Sequence, residues 1–330
     1  MFNFVNRVVG HGGFDSDTIA ISYLDRNYVG DYLAGTLRHE VSHVLGRLFA
    51  PERGVMITEG LAVYVAGGHF KPELISPRMA AAEVAGFDLP LGEFMNEFYA
   101  AQHELSYLHA ASFVEYLIDT YGWDRFRLLL RNMEAANTES RMLNRATLLV
   151  LGVTLDQLES SWLDSLRTQP FGGDLLADVE TTVSFYDTAR RYQLAADPDA
   201  YFLTAWMTSI TRAREQQIIA DYTGHPASLE NIALELMLGS ANDLIFSGDF
   251  SEAQEWIAAV NAVLDSGMSF GVHPLALQTF DLTNRALESG YEPQRIKLEP
   301  HQATLETISE WPRLQELNFR LTVSGWALSQ

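Results

Sequence analysis

The sequence predicts a mainly α fold of the α+β kind, arranged as two domains. Three observations carry that reading. Apolar residues recur at three- and four-residue steps through most of the chain, the signature of helices with one buried face. Period-two alternation is confined to a short stretch near the start and to the tail, which confines strands to the two ends. The length of 330 residues, with 47% hydrophobic and 20% charged residues, suits two globular domains with buried cores.

In chain order, 18–24 (TIAISYL) is β-branched and alternating and reads as a strand. From Asp31 to Phe49, Leu33, Leu37, Val41, Val44, Leu45 and Leu48 form one helical stripe, closed by Pro51 and Gly54. A second helix is expected over 58–66, capped by Thr58 and stopped by Gly67 and Gly68. Further helices fit 74–85, 92–100, 103–121, 124–135, 140–150 and 155–167, separated by Gly, Pro or Asn. Gln169-Pro170-Phe171-Gly172-Gly173 cannot continue a helix, so the domain boundary is placed there, giving domains 1–170 and 174–330. Beyond it, 174–192, 198–222, 228–247 and 251–265 are helical in pattern. The small-residue spacing from Leu236 through Gly248-Asp249-Phe250 to Val260 fits one tetratricopeptide-like helix pair, and a plain helical hairpin fits it better, because such repeats need about three neighbours to bury a core. The tail, 303–309 and 317–323, alternates with period two and predicts a closing antiparallel element.

Charge and composition exclude several classes of function. A balance of 43 acidic against 22 basic residues leaves −21, a field that repels nucleic acid and anionic membranes. No window approaches the roughly 18–20 apolar residues of a membrane span, and the apolar run in MFNFVNRVVGHGG is too short for a signal peptide, so the chain as it stands reads as soluble. The absence of cysteine removes disulfides, thiolate metal sites and cysteine nucleophiles, leaving His, Asp and Glu as metal ligands. Neither GxxxxGK[ST] nor GxGxxG occurs, which speaks against nucleotide enzymes.

Residues 39–43 read His39-Glu40-Val41-Ser42-His43. On a helix the four-residue step brings both imidazoles to one face, where they can share a metal ion. At 100° per residue from Leu37, the apolar stripe falls within about 80°, whereas His39 and His43 lie near 200° and 240°. The stripe is therefore expected on the core and the histidines on a cleft. A third ligand is needed beside the water of a catalytic zinc site, and Glu59, in the first turn of the second helix, is the candidate. The competing reading makes Glu59 a dipole partner at a helix N-terminus. Gly60 beside it permits close helix approach.

These residues, with Thr58-Glu59-Gly60-Leu61-Ala62-Val63-Tyr64, Tyr107-Leu108-His109-Ala110-Ala111-Ser112-Phe113-Val114-Glu115-Tyr116-Leu117, Tyr121-Gly122 and Leu151-Gly152-Val153-Thr154-Leu155-Asp156-Gln157-Leu158-Glu159 before Trp162, resemble the gluzincin metallopeptidases, in particular the peptidase MA-like group, over about 18–168. The resemblance implies a zincin-like catalytic domain with Zn²⁺ held by His39, His43 and Glu59, Glu40 as general base, Tyr107 facing the developing oxyanion, and a peptide or protein as substrate. Gluzincins carry a multistranded sheet ahead of the metal helix, where this chain has fewer than 40 residues, so a truncated start is expected, with an extracytoplasmic location if a targeting segment has been lost. Several members also place an acid four residues after the ligand glutamate, and here that residue is Val63.

Other side chains able to donate to a tetrahedral intermediate are Tyr64, Tyr99, His103 and His109. His69, His225, His273 and His301 have no partner at metal spacing and receive no role. Trp206, Trp256 and Trp311 read as core or interface anchors, since no basic residues cluster beside them. The alternative function is a degenerate zincin scaffold that binds proteins through its helical second half. Against it stands Glu40, which is neither ligand nor core and which a scaffold under no catalytic demand has no reason to keep.

Overall fold

The computed structural model describes residues 11–15, 18–22, 32–50, 52–69, 72–87, 89–96, 98, 101–196, 228–310, 313–323 and 325–329. Among these are twelve α-helices, a two-stranded sheet near the start and a four-stranded antiparallel sheet at the end, in keeping with the mainly α expectation. The expected helix at 198–222 lies outside the described residues, as do Tyr99, Trp206, His225 and Trp311.

The chain divides into two compact units, one of them Gly12–Val183 and the other containing Ser184–Gln330. The first holds β1 (His11–Asp15) paired with β2 (Thr18–Ser22), then α1 (Tyr32–Phe49), α2 (Val55–Ala66), α3 (Ile75–Val84), α4 (Leu91–Asn96), α5 (His103–Tyr121), α6 (Trp123–Arg131), α7 (Glu139–Val150), α8 (Leu155–Leu166) and the first part of α9 (Gly173–Ala196). The break expected at 169–173 is real as a helix break, between α8 and α9. The compact unit nevertheless continues to Val183, because Leu175, Val179 and Val183 on α9 pack into the same core as Trp162 and Leu166.

At the centre of this unit α2 lies against α5. Met56, Ile57, Leu61, Ala62 and Val63 are all buried, so α2 is a core helix on most of its circumference. Gly60 is what lets α5 approach: a Cβ there would stand 2.3 Å from the Ala110 carbonyl oxygen. Sequence placed the start of α2 at Thr58, and the helix in fact begins at Val55 with Gly54 as N-cap. Thr58 does not cap it; its hydroxyl donates back to the Gly54 carbonyl at 2.7 Å. The first-turn amides are met from a distance by the carboxylate of Glu139 on α7, which accepts from Met56 N at 2.9 Å. No local pattern announces that contact.

The metal-motif helix α1 departs from its predicted orientation. Leu37, Leu45 and Leu48 are 47%, 55% and 80% exposed, whereas Glu40, His43 and Ala50 are buried. The helix therefore packs by its histidine face, against α2, with Leu37, Leu45 and Leu48 turned outward and Val41 and Val44 half-buried. A helix can offer only one face to one neighbour, and the face that meets Glu59 must carry the histidines.

In the second unit, α10 (Leu229–Ser247) and α11 (Phe250–Asp265) form a hairpin that turns at Gly248, whose φ of 86° is the left-handed cap glycine allows. Trp256 is buried there, as expected of a core anchor. After the hairpin come α12 (Pro274–Glu288), with Pro at its first turn, and a meander of β3 (Glu292–Glu299), β4 (Gln302–Glu310), β5 (Arg313–Thr322) and β6 (Gly325–Leu328). Sequence marked β4 and β5 but not β1, β3, β6 or α12. Register aligns Ile296 with Leu305 and Leu305 with Leu317, and the inner face, with Ala303, Phe319 and Trp326, is buried. Ser240 on α10 ties helix to sheet by donating to the Ile296 carbonyl at 3.2 Å, and Tyr192 donates its hydroxyl to the fully buried Glu235 at 3.0 Å.

Candidate metal centre

Two adjacent helices supply the three ligand atoms. His39 and His43, one turn apart on α1, stand with Nε2 atoms 3.1 Å apart, and each is 3.3 Å from Glu59 Oε2 on α2. The rings cross at 78°, so their nitrogens converge rather than stack. A tetrahedral ion with ligand bonds of about 2.0 Å has an edge of about 3.3 Å, so these three separations outline one face of such a shell. The buried group of His39, His43 and Glu59 can hold a metal ion, and among the described residues it is the one cluster of this type. Because α2 starts at Val55, Glu59 lies in the second turn, which removes the helix-terminus reading of its charge.

Electrostatics sorts the two glutamates. Burial alone would raise Glu59, but hydrogen bonds and charge from His39 and His43 outweigh it and hold the carboxyl far below the usual carboxylate range. Burial opposes protonation of His39, and its hydrogen bond to Glu59 together with the negative charges of Glu59 and Glu40 more than offsets this, leaving the imidazole raised. Glu40 moves the other way: burial raises it, and the attraction of His39 and His43 only partly compensates. Glu59 is thus held as an anion, suited to ligation, while Glu40 is a carboxyl with increased proton affinity beside the ligands.

The main chain of the motif is held by Arg53, whose Nη2 donates to the His43 carbonyl at 2.8 Å. Its guanidinium occupies the space above Gly46 that a Cβ would fill. Neither contact is visible in the motif itself.

Of the secondary candidates, Tyr107 is brought to the centre, buried, with its ring 6.4 Å from that of His39. His103 stands behind it, 4.9 Å ring to ring. Tyr64 faces the charges of Asp119 and Glu115 instead. His109 is structural: it donates from Nδ1 to the Leu105 carbonyl at 2.8 Å and accepts at Nε2 from Leu89 N at 3.2 Å. His273 and His301 belong to the other unit, and no role attaches to them.

The residue that sequence reasoning missed is His69. Its ring lies parallel on Tyr107, 3.9 Å between centroids and 4° between planes, and 6.5 Å from His39. Burial, with the neighbouring His39, pushes it down to about 3, so it is a neutral imidazole. The signal that could have found it is the Gly67-Gly68 stop at the end of the ligand helix: Gly67 at φ 84° turns the chain back, so that the next residue but one returns toward the site.

No family model, curated protein or solved structure matches the chain.

Proposed function

We propose that the chain is a zinc-dependent peptidase. The observation that supports this best is the triangle of His39 Nε2, His43 Nε2 and Glu59 Oε2 at 3.1 to 3.3 Å, with a second, more basic glutamate, Glu40, directly after His39 on α1. Two imidazoles and one carboxylate, with no thiolate in the chain, are a donor set zinc accepts in catalytic sites. The likeness of the quoted motifs to gluzincins points the same way.

Zinc, when bound, supplies Lewis acidity at a peptide carbonyl and eases the ionisation of water. The protein groups do the rest. Glu40 accepts a proton from the attacking water and returns it to the leaving amine, work for which a carboxyl raised toward neutrality is better matched than an ordinary one. Tyr107 offers a phenolic donor beside the site as charge gathers on the carbonyl oxygen.

The two glutamates separate the roles experimentally. Glu40→Gln keeps size and removes the proton acceptor, so zinc by elemental analysis should stay at about one per chain while hydrolysis of an unfolded protein falls by roughly a hundredfold or more. Glu59→Ala should lose both metal and activity. A parent that takes up no zinc on titration, or a Glu40→Gln variant as active as the parent, would sink the reading.

A further inference from the structure

Arg78 on α3 has no exposed surface, and its guanidinium gathers three carboxylates from separate elements. Nε stands 2.8 Å from Glu73 Oε2 and 3.6 Å from Glu104 Oε1, and Nη1 stands 3.1 Å from Asp178 Oδ2 on α9. Buried ion clusters of this kind add little net stability, because each charge must first leave water. Two of the three carboxylates continue outward through their other oxygens, and both reach the same residue. Glu73 Oε1 accepts the backbone N–H of His69 at 3.3 Å, and Glu104 Oε2 meets its ring Nδ1 at 3.2 Å. One guanidinium thus holds His69 by main chain and side chain together, while Tyr107 fixes the plane of its ring from below.

The tautomer follows from that arrangement. A carboxylate at Nδ1 requires the proton there, which leaves the lone pair on Nε2, and among the described residues no hydrogen bond engages Nε2. A lone pair beside the metal centre suits a donor group, an N–H of a peptide, and not a carbonyl oxygen.

We propose that His69 is a substrate-contacting residue of the metal site, accepting at Nε2 from a peptide N–H beside the scissile bond, and that Arg78 is the positioning residue that holds it there through Glu73 and Glu104. This rests on the peptidase reading above. The substrate it selects is a peptide whose backbone N–H next to the cleaved bond is present, so N-methylation at that position removes the contact.

The test compares kcat and KM for an unfolded, dye-labelled casein across His69→Ala, His69→Gln, Arg78→Lys and the double variant Arg78→Lys with His69→Ala, each assayed for zinc. His69→Ala should keep its zinc and lose about tenfold in kcat/KM, the size of one net hydrogen bond. His69→Gln, which keeps an acceptor, should recover most of that loss. Arg78→Lys keeps the charge without the fork and should lose a similar factor, and the double variant should be no worse than either single one, since both remove the same contact. If Arg78→Lys does not fold, Glu104→Leu replaces it, which removes the acceptor at His69 Nδ1, with the same loss expected. Nitrogen NMR of labelled imidazoles should show His69 protonated at Nδ1. The inference fails if His69→Ala with full zinc cleaves within twofold of the parent, if the two losses multiply, or if the proton sits on Nε2. A parent that binds zinc yet cleaves nothing overturns the peptidase reading and this contact with it, whereas an active parent with an indifferent His69→Ala overturns this contact alone.

Discussion

Histidines close to one another in this unit do opposite work, and their ring nitrogens show which. His39 and His43 turn Nε2 toward a shared point with Glu59, whereas His109 has both nitrogens committed to backbone, at Leu105 O and Leu89 N. His109→Ala should therefore destabilise the protein by roughly 2–4 kcal/mol, from the cavity and the orphaned Leu89 N–H, while zinc uptake stays at the parent level. Urea unfolding with a parallel zinc titration reads both, and a loss of metal without loss of stability would reverse the assignment. The grouping of His39, His43 and Glu59 was legible in the sequence because the i, i+4 step and the following Thr-Glu-Gly are local patterns. His69, Arg78 and Glu104 were not, because a lone histidine, an arginine and a glutamate in separate segments become one group only when α3 and α5 meet the turn that follows α2.

Among the elements, α2 has to be held accurately, since it carries Glu59 on one side and packs on α5 with the other. Its N-terminus rests on Glu139, whose carboxylate accepts from the first-turn amides and whose buried position pushes it up to about 7 despite those bonds. A pKa above the ordinary 4.5 means that the folded state holds a proton the unfolded chain has released between those values. Its stabilising contribution is complete below about pH 4.5 and is lost as pH rises through about 7. Glu139→Gln still accepts the amides but does not titrate, so the stability of variant minus parent should increase across that window. Urea midpoints taken in chelator read it, and parallel curves for the two proteins would refute it. The outward leucines of α1 give a second check: Leu48→Gln, at a position 80% exposed, should change stability by no more than about 0.5 kcal/mol, where a core position would lose several. Periodicity found that stripe and misjudged its direction, because a period reports that a helix has two faces and not which one the neighbour takes. Helix ends were legible where glycine stops them, as at Gly67, Gly122 and Gly248. They were misjudged where a distant side chain does the capping, as Glu139 does for α2.

At the scale of the whole chain, every residue of the candidate metal centre lies within Gly12–Val183, while Ser184–Gln330 closes its own core around Tyr192, Leu234, Trp256, Phe319 and Trp326. Metal that binds only folded protein stabilises the unit that folds its ligands into place, by about 4 kcal/mol at a thousandfold excess over Kd. For a unit of this size that is roughly 10 °C in Tm, at about 2–4 °C per kcal/mol. Calorimetry in zinc and in chelator should then show two transitions, one moving by about that amount and the other staying in place. The helix α9 runs through the division between Val183 and Ser184, and it is the route by which unfolding of one unit could carry the other. Proline at Val183, a buried position in the middle of α9, breaks that route at the cost of a helix hydrogen bond, so it should lower both transitions but leave only the first sensitive to zinc. A single transition that moves as a whole with zinc, in the parent and the variant alike, would show that the two units unfold as one cooperative body.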